Sequence, residues 1–524
     1  MKYKSTVGVI GGGSIAASYV HHLVEALVRA NHPSTEGLRV LVFEPRSFVG
    51  RGSAYDVDLE TNLLNVTAGA MSAVGDDKLH FKRWLNHHCI DTFDGRCIEE
   101  STFLSRPLFG KYLEWVYDDA VERARAIGVS VEHIRSTIVA CRSISNAEYS
   151  LTTANGHMQT VHDIVLTIGN LDSAAFPEFR HRPDFFSTPY ATSDLSCRID
   201  RDAPVCILGT SLSAVDAILA LVSQGHRGSI YAVSRNGRLP SVRGIRNTPV
   251  LLRPDFTLRL QLHKKAGTTI PLDELIGILK AELLIAGSGE LEEDLIALAQ
   301  DFPNALDFLN REIYKATSMP RQWQAFGNAL NECIDLLWHL LSHEDRHRFN
   351  HEFKAIWMSR RVTFPLENAQ AVRELLRSGQ LRVSGGFKTA RHDPDRDLFA
   401  IDLSHRDLIA GKESINHETY WAKYLVNATS FSSDAEHSDM PLLRSLLDQG
   451  LTEVSSFGGL KVDFDSGYLV TPAGKLNNRI TALGSMVSGT YFWTNAMEIN
   501  ARLAMGQARQ LADTLRQRTE VVAQ

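Results

Sequence analysis

KSTVGVIGGGSIA, residues 4–16, sets an apolar run against a glycine cluster. Val7, Val9 and Ile10 read as a buried strand, Gly11, Gly13 and Ala16 follow as G-x-G-x-x-A, and residues 14–30 carry a helical pattern. Strand, glycine turn and helix together make a dinucleotide site. The first glycine permits the tight turn, the second lets the backbone approach a pyrophosphate, and the small third residue lets helix and strand pack closely. Ser14 and Ile15 stand at the helix N-terminus, where free N–H groups and the positive dipole end face phosphate. Residues 38–43, LRVLVF, read as the next strand. Glu44 ends it with a carboxylate placed to accept hydrogen bonds from a ribose 2′-OH.

Downstream, Arg51 lies between Gly50 and Gly52, in a loop whose backbone is expected close to a ligand, with Arg51 near phosphate or a ring oxygen. Residues 61–66, TNLLNV, are expected as a strand, and Asn65 within it needs a partner if buried. Residues 80–88 and 110–127 read as helices. Residues 129–131, 136–143 and 149–153 read as short strands, with an Asn155-Gly156 hairpin turn, and residues 163–170 as a buried strand ending at Gly169 and Asn170.

A second dinucleotide unit starts at Pro204. Residues 205–208 form its strand, Gly209, Thr210 and Ser211 its turn, residues 216–222 the start of its helix, and residues 229–233 its next strand. Ser211 replaces the middle glycine. In place of an acid after the second strand stand Ser234 and Arg235, and hydroxyl plus guanidinium suit a 2′-phosphate, so NADP is favoured over NAD. Residues 249–350 differ in texture, with amphipathic helical patterns at 275–285, 291–298, 305–314, 323–341 and 343–353. Strand patterns return at 381–383, 398–403, 424–430 and 480–489, and residues 495–514 form an alanine-rich helix.

Composition narrows the function class. The 524 residues leave room for two or three domains, and the net charge of −6 argues against bulk nucleic-acid binding. Six dispersed cysteines without C-x-x-C indicate neither a disulfide framework nor a dithiol redox centre, and a reduced, cytoplasmic location fits. The longest apolar stretch, 205–222, is broken by Thr210, Ser211, Ser213 and Asp216, so no membrane span is expected.

Taken as a set, these motifs resemble the bacterial FAD-NAD(P)-binding group of two-dinucleotide-binding flavoproteins. The resemblance rests on Glu44–Tyr55 (EP…GRGSAY), Leu63–Val66 (LLNV), TIGN at 167–170, Leu208–Asp216 (LGTSLSAVD), Gly225–Ile230 (GHRGSI), Ser234–Pro240 (SRNGRLP), NATS at 427–430 and ALGSM at 482–486. It implies an α/β fold with two Rossmann-like dinucleotide-binding domains and a helical insertion. The FAD domain would comprise residues 1–200 and 426–524, the NAD(P)H domain residues 201–250 and 357–425, and the insertion residues 251–356. FAD would be held at Gly11, Gly13 and Glu44, with Gly484, Thr494 and Asn495 near the flavin ring or ribityl chain. Asn65 and one of Tyr491, Phe492 or Trp493 would add to the ring environment, and NADPH would sit at Gly209, Thr210, Ser211 and Arg235. The layout also resembles N-hydroxylating monooxygenases. It implies oxygenation of a small polar metabolite by O2 through a C4a-hydroperoxyflavin, with N-oxygenation of an amino acid such as aspartate preferred. Hydroxylation of a purine-like ring of the urate type, and a flavin-binding redox sensor or interaction protein without turnover, are the alternatives. Arg243 and Arg246 after the second unit, and Arg360 and Arg361 at the exit from the insertion, could clamp an anionic substrate. No catalytic acid–base residue is assigned. His343, His347 and His351 recur at four-residue spacing, but the surrounding HEDRHRFNHEF is densely charged and reads as a solvated helix face, so no metal is expected. The oligomeric state is open, with a homodimer among the arrangements.

Overall fold

The computed structural model describes residues 5–29, 37–173, 175–287, 304–409, 412–429 and 431–523. The apolar run at the N-terminus is strand Ser5–Ile10, buried from Thr6 onward. It pairs in parallel with Leu38–Phe43 on one side and Asp163–Leu166 on the other. Ser130–Ile134 extends the sheet beyond Leu38–Phe43. The late strand Leu476–Ala482 returns to pair in parallel with Asp163–Leu166, and Tyr468–Val470 closes that edge antiparallel. One face packs against the helices Ser14–Arg29, Arg106–Ala126 and Met497–Ala523. The other packs against an antiparallel meander, Ile138–Ser145, Glu148–Thr153 and Met158–Val161.

The second sheet repeats the plan. Its parallel order is Phe185–Phe186, Tyr424–Asn427, Val205–Leu208, Ile230–Val233, Leu381–Ser384. Helices Leu212–Ser223 and Leu366–Ser378 cover one face and the meander Phe387–Asp393, Leu398–Ile409 and Lys412–Ala422 covers the other. The chain thus crosses between the two sheets before residue 185 and again after residue 427.

Several sequence expectations need correction. Residues 61–66 form no strand. A single antiparallel bridge joins Leu63 to Ser105, because the segment hydrogen-bonds to 100–106 (Leu64 N to Leu104 O, 2.8 Å; Arg106 N to Asn62 O, 2.8 Å) and reaches neither sheet. The helix expected at 323–341 is broken into Gln322–Ala329, a 3-10 turn Leu330–Glu332 and Ile334–His339, since Cys333 leaves helical geometry at φ −142°. The expected helix at 343–353 turns into a π-helix at Phe349–Phe353, which brings both phenylalanines onto the insertion's core. The strand expected at 398–403 runs on to Ile409, beyond the apolar residues that mark it. The pattern at 291–298 lies outside the described residues.

Helix Ala305–Ser318, from the middle of the insertion, turns its apolar face to the second unit. Phe308, Leu309, Ile313 and Ala316 complete the second unit's core. The remaining insertion helices build a separate core around Leu260, Leu272, Leu337 and Trp338, joined by Phe457, Phe464 and Phe492 from the C-terminal segment. No helix among the described residues is long and apolar enough to cross a membrane.

Candidate functional site

Gly11 has φ +99°, and a Cβ there would lie 2.3 Å from the Thr167 carbonyl oxygen. Only glycine allows the first strand and the Thr167 strand end to approach this closely. Glu44 is buried; one carboxylate oxygen accepts from Gly12 N at 2.9 Å and the other from Arg46 N at 3.0 Å. The latter oxygen also accepts from Arg46 Nη1 at 3.2 Å, so the lone pair left over lies on the oxygen bound to Gly12 N. Gly13 meets Gly52: a Cβ on Gly52 would stand 3.1 Å from Gly13 Cα and 4.0 Å from Ser14 N. The start of helix Ser14–Arg29 is thereby left bare of side chains, which is the cradle a pyrophosphate fits. Arg51 turns away to Glu114 (2.8 Å) and lies over Phe48, so its guanidinium fixes the loop that carries Gly52 and does not reach the turn.

The C-terminal segment closes on this end of the sheet. Ser485 Oγ donates to Gly169 O at 2.5 Å, and a Cβ on Gly484 would be 2.7 Å from Ile15 Cδ1. Phe492 has φ +62° and ψ −63°, and Trp493 N donates to Tyr491 O at 2.7 Å. That is a γ-turn, a strained conformation for a bulky residue. The insertion holds it in place: Trp338 stacks on Phe492 with centroids 4.9 Å apart, and its Nε1 donates to Gly489 O at 2.9 Å. The turn sends Trp493 toward Trp357 and Arg361, with centroid distances of 6.3 and 5.5 Å. Thr494 is buried with its hydroxyl unpartnered among the described residues, while Asn495 is exposed.

In the second unit Gly209 has φ +127°, and its Cβ would lie 2.5 Å from Ala428 O. Thr210 Oγ1 contacts Ser234 Oγ (3.0 Å) and donates to Arg238 O (2.6 Å), and Ser234 Oγ accepts from Gly237 N. Ser211 and Arg235 are exposed.

The four candidate arginines separate. Arg243 Nη2 donates to the backbone carbonyl of Asn65 at 3.1 Å, and Arg361 Nη2 to Asn331 Oδ1 at 2.7 Å. Neither forms an ion pair among the described residues, and the Nε of each is buried without a partner. Burial pushes Arg243 down to about 10; burial, then the charge of Arg243, pushes Arg361 down to about 10, opposed by Glu498. Arg360 instead joins a buried cluster, contacting Ser241 Oγ at 3.3 Å and Glu312 at 3.8 Å, where Glu312 also binds Arg321 at 2.6 Å. Arg246 is exposed. Asn65, Arg243, Arg361 and Trp493 therefore converge from the first unit, the second unit, the insertion's exit and the C-terminal segment. His343 and His347 pack their rings on Phe457 at 5.0 and 4.8 Å, and the π-helix takes His351 off their spacing.

Sequence reading missed a polar seam between the units. Arg106 Nη2 binds Asp216 at 2.7 Å, and Tyr190 donates to the same carboxylate at 2.7 Å. Asp58 accepts from the backbone N–H groups of Thr192 and Ser193, both at 2.8 Å. The one legible signal was Asp216, an acid inside an otherwise apolar helix.

Residues 8–171 match the model of a family described as FAD-NAD(P)-binding. No curated protein matches the chain in sequence. Among solved structures, the chain is similar to L-lysine 6-monooxygenase from Pseudomonas syringae, at 15% identity over 98% of this chain and 99% of that one, with TM-score 0.56. The ornithine N-hydroxylase of Kutzneria sp. 744, solved with reduced FAD, NADP+ and L-ornithine, gives 15% identity, 98% and 99% coverage and TM-score 0.55. The reduced ornithine hydroxylase of Pseudomonas aeruginosa gives 14%, 98%, 99% and 0.51. The chain has the two-dinucleotide-domain α/β fold of these structures.

Proposed function

We propose that the chain is an FAD-dependent, NADPH-using monooxygenase of a small anionic metabolite, with N-oxygenation of an amino acid such as aspartate as the preferred reaction. FAD belongs to the unit of residues 1–200 and 426–524, at Gly11, Gly13, Ser14, Ile15, Glu44, Gly169 and Gly484. NADPH belongs to the unit of residues 201–250 and 357–425, at Gly209, Thr210, Ser211, Ser234 and Arg235. Residues 251–356 cover the substrate.

The observation that carries this reading is the pair Arg243 and Arg361, two half-buried arginines whose Nε atoms are buried and that have no carboxylate partner among the described residues, with Arg361 beside Trp493. A buried cation left unpaired is costly, so such a pair suits a ligand that brings its own negative charge. Flavin bound at the first unit and reduced by NADPH supplies the oxygen chemistry; the protein binds, orients and excludes water. Arg243 and Arg361 hold a carboxylate and so present the amine of an amino acid in one orientation. Trp357 and Trp493 pack edge to face, with Arg361 over the Trp493 ring. That perpendicular geometry lacks the parallel faces a flat purine ring would stack between, which favours the amino acid over the urate-type ring.

The test is NADPH oxidation by the FAD-loaded protein across a panel of amino acids, scoring hydroxylamine, nitroso and nitro products. Aspartate-stimulated oxidation with an oxygenated product is expected. Oxidation that is independent of every substrate and yields only peroxide overturns the reading, and loss of ring absorbance with urate redirects it.

A further inference from the structure

Between Arg361 and the nearest acid on the C-terminal helix stands one amide. Asn331 Oδ1 accepts from Arg361 Nη2 at 2.7 Å, and its Nδ2 donates to Glu498 Oε2 at 2.9 Å. The amide's orientation is set by its partners, because a guanidinium only donates and a carboxylate only accepts. Asn331 is buried in the 3-10 turn Leu330–Glu332, the break in the insertion's helical run. Glu498 in turn meets Lys78 Nζ at 3.1 Å, and Arg502, one turn further along the helix, pairs with Asp335 at 3.0 Å.

We propose that Asn331 is a positioning residue: a neutral spacer that orients Arg361 toward the Arg243–Trp493 side and keeps Glu498 from neutralising it. The inference rests on the carboxylate-binding reading of Arg243 and Arg361. A direct Arg361–Glu498 ion pair would satisfy the guanidinium internally and remove its attraction for a substrate anion. The amide passes on a hydrogen bond but carries no charge, so Arg361 is held in one geometry and stays a free cation.

Two variants move this arrangement in opposite directions. Asn331→Asp places a charge against Arg361, and Glu498→Gln removes the one behind the amide. The first readout needs no substrate: the rate at which phenylglyoxal, which attacks the neutral guanidine, modifies Arg361 in the full-length FAD-loaded protein, followed by peptide mass spectrometry. Asn331→Asp slows Arg361 modification several-fold and Glu498→Gln speeds it. The second readout is calorimetric binding of succinate as a carboxylate probe. Asn331→Asp weakens it at least tenfold and Glu498→Gln tightens it two- to threefold. Equal reactivity of Arg361 in both variants and the parent protein overturns the spacer, as does a shift in the same direction. If the reactivities diverge as stated but the parent protein binds no succinate, the spacer stands and the carboxylate reading of the site falls. Glu498→Gln, at a half-buried helix position, carries the test alone should Asn331→Asp fail to fold.

Discussion

The two dinucleotide units are built to one plan and finished differently. Each opens with a glycine at positive φ, and each glycine is forced by the same neighbour: the carbonyl end of a parallel strand, Thr167 O for Gly11 and Ala428 O for Gly209. Beyond that the units diverge. Gly13 faces Gly52 at backbone distance and Glu44 is buried against Gly12 N. In the second unit, Ser211 and Arg235 are exposed, and the strand-end Ser234 ties down its own loop through Gly237 N. A Cβ on Gly13 would meet Gly52 Cα at an ordinary 3.6 Å, so the approach of the loop demands glycine at Gly52, which has φ +58° and whose Cβ would lie 3.1 Å from Gly13 Cα, while the turn of the second unit has no such loop against Ser211 among the described residues. An enclosed turn suits a group that stays bound, and an open one suits a nucleotide that comes and goes, which is the division of roles proposed for FAD and NADPH.

The largest expected effects break one unit and spare the other. Gly11→Ala puts a methyl within 2.3 Å of Thr167 O, so the purified protein should carry no flavin band after desalting. Gly209→Ala makes the equivalent clash with Ala428 O; that variant should keep its flavin but lose anaerobic bleaching by NADPH. Flavin loss in both would erase the distinction. Next, Arg106→Met removes the cation of the ion pair that joins the units and leaves the buried Asp216 with the Tyr190 hydroxyl alone, costing about 3 kcal/mol in urea unfolding.

A third difference lies in the helices that follow the turns. Ser14–Arg29 buries His21 and His22, whereas Leu212–Ser223 buries Asp216. His21 Nδ1 accepts from Arg123, His22 Nε2 accepts from Gly75 N, and burial above all pushes them down to about 2 and about 4. Both are neutral in the folded chain and protonate near their ordinary value of about 6.5 when it unfolds. Stability is therefore full above that pH and falls as pH drops, by about 1.4 kcal/mol per unit for each histidine down to about pH 4. His22→Gln should flatten the pH dependence of the unfolding free energy between pH 6.5 and 4. An unchanged slope would mean that the histidines are solvated.

Smaller still, Arg235→Ala should raise KM for NADPH about tenfold, one charge-assisted contact, and leave KM for NADH alone. The smallest effect is expected of Ser211→Gly, which restores the motif's middle glycine. It should change stability by no more than about 0.5 kcal/mol, since that side chain caps nothing.

Both glycine turns, Glu44, the strands at 38–43 and 205–208 and the helical texture of 249–350 were legible in the sequence because each is a local pattern, an apolar run ended by a residue with a backbone or charge requirement. Of the candidate site, Arg243 and Arg361 were legible only as members of a group of four. Nothing local separates Arg360 from Arg361: one turns to Glu312 and the other to Asn331 because adjacent residues on a helix point about 100° apart. Arg106, Tyr190 and Asn331 were missed for the same reason, their partners being 26 to 167 residues distant. The γ-turn at Phe492 has no signature in the sequence, since it depends on the stack with Trp338.

The sequence by itself determined the two parallel-sheet units, the glycine at each turn and the acid or arginine that follows, because backbone sterics and strand periodicity act between near neighbours. Only the tertiary structure decided that helix Ala305–Ser318 leaves the insertion for the second unit's core, that a polar seam joins the units at Arg106 and Asp216, and that Arg243 comes near enough to Arg361 for their charges to act on each other. Those outcomes turn on which apolar face finds which partner and which charges are left without one, and both are settled when distant segments close on each other.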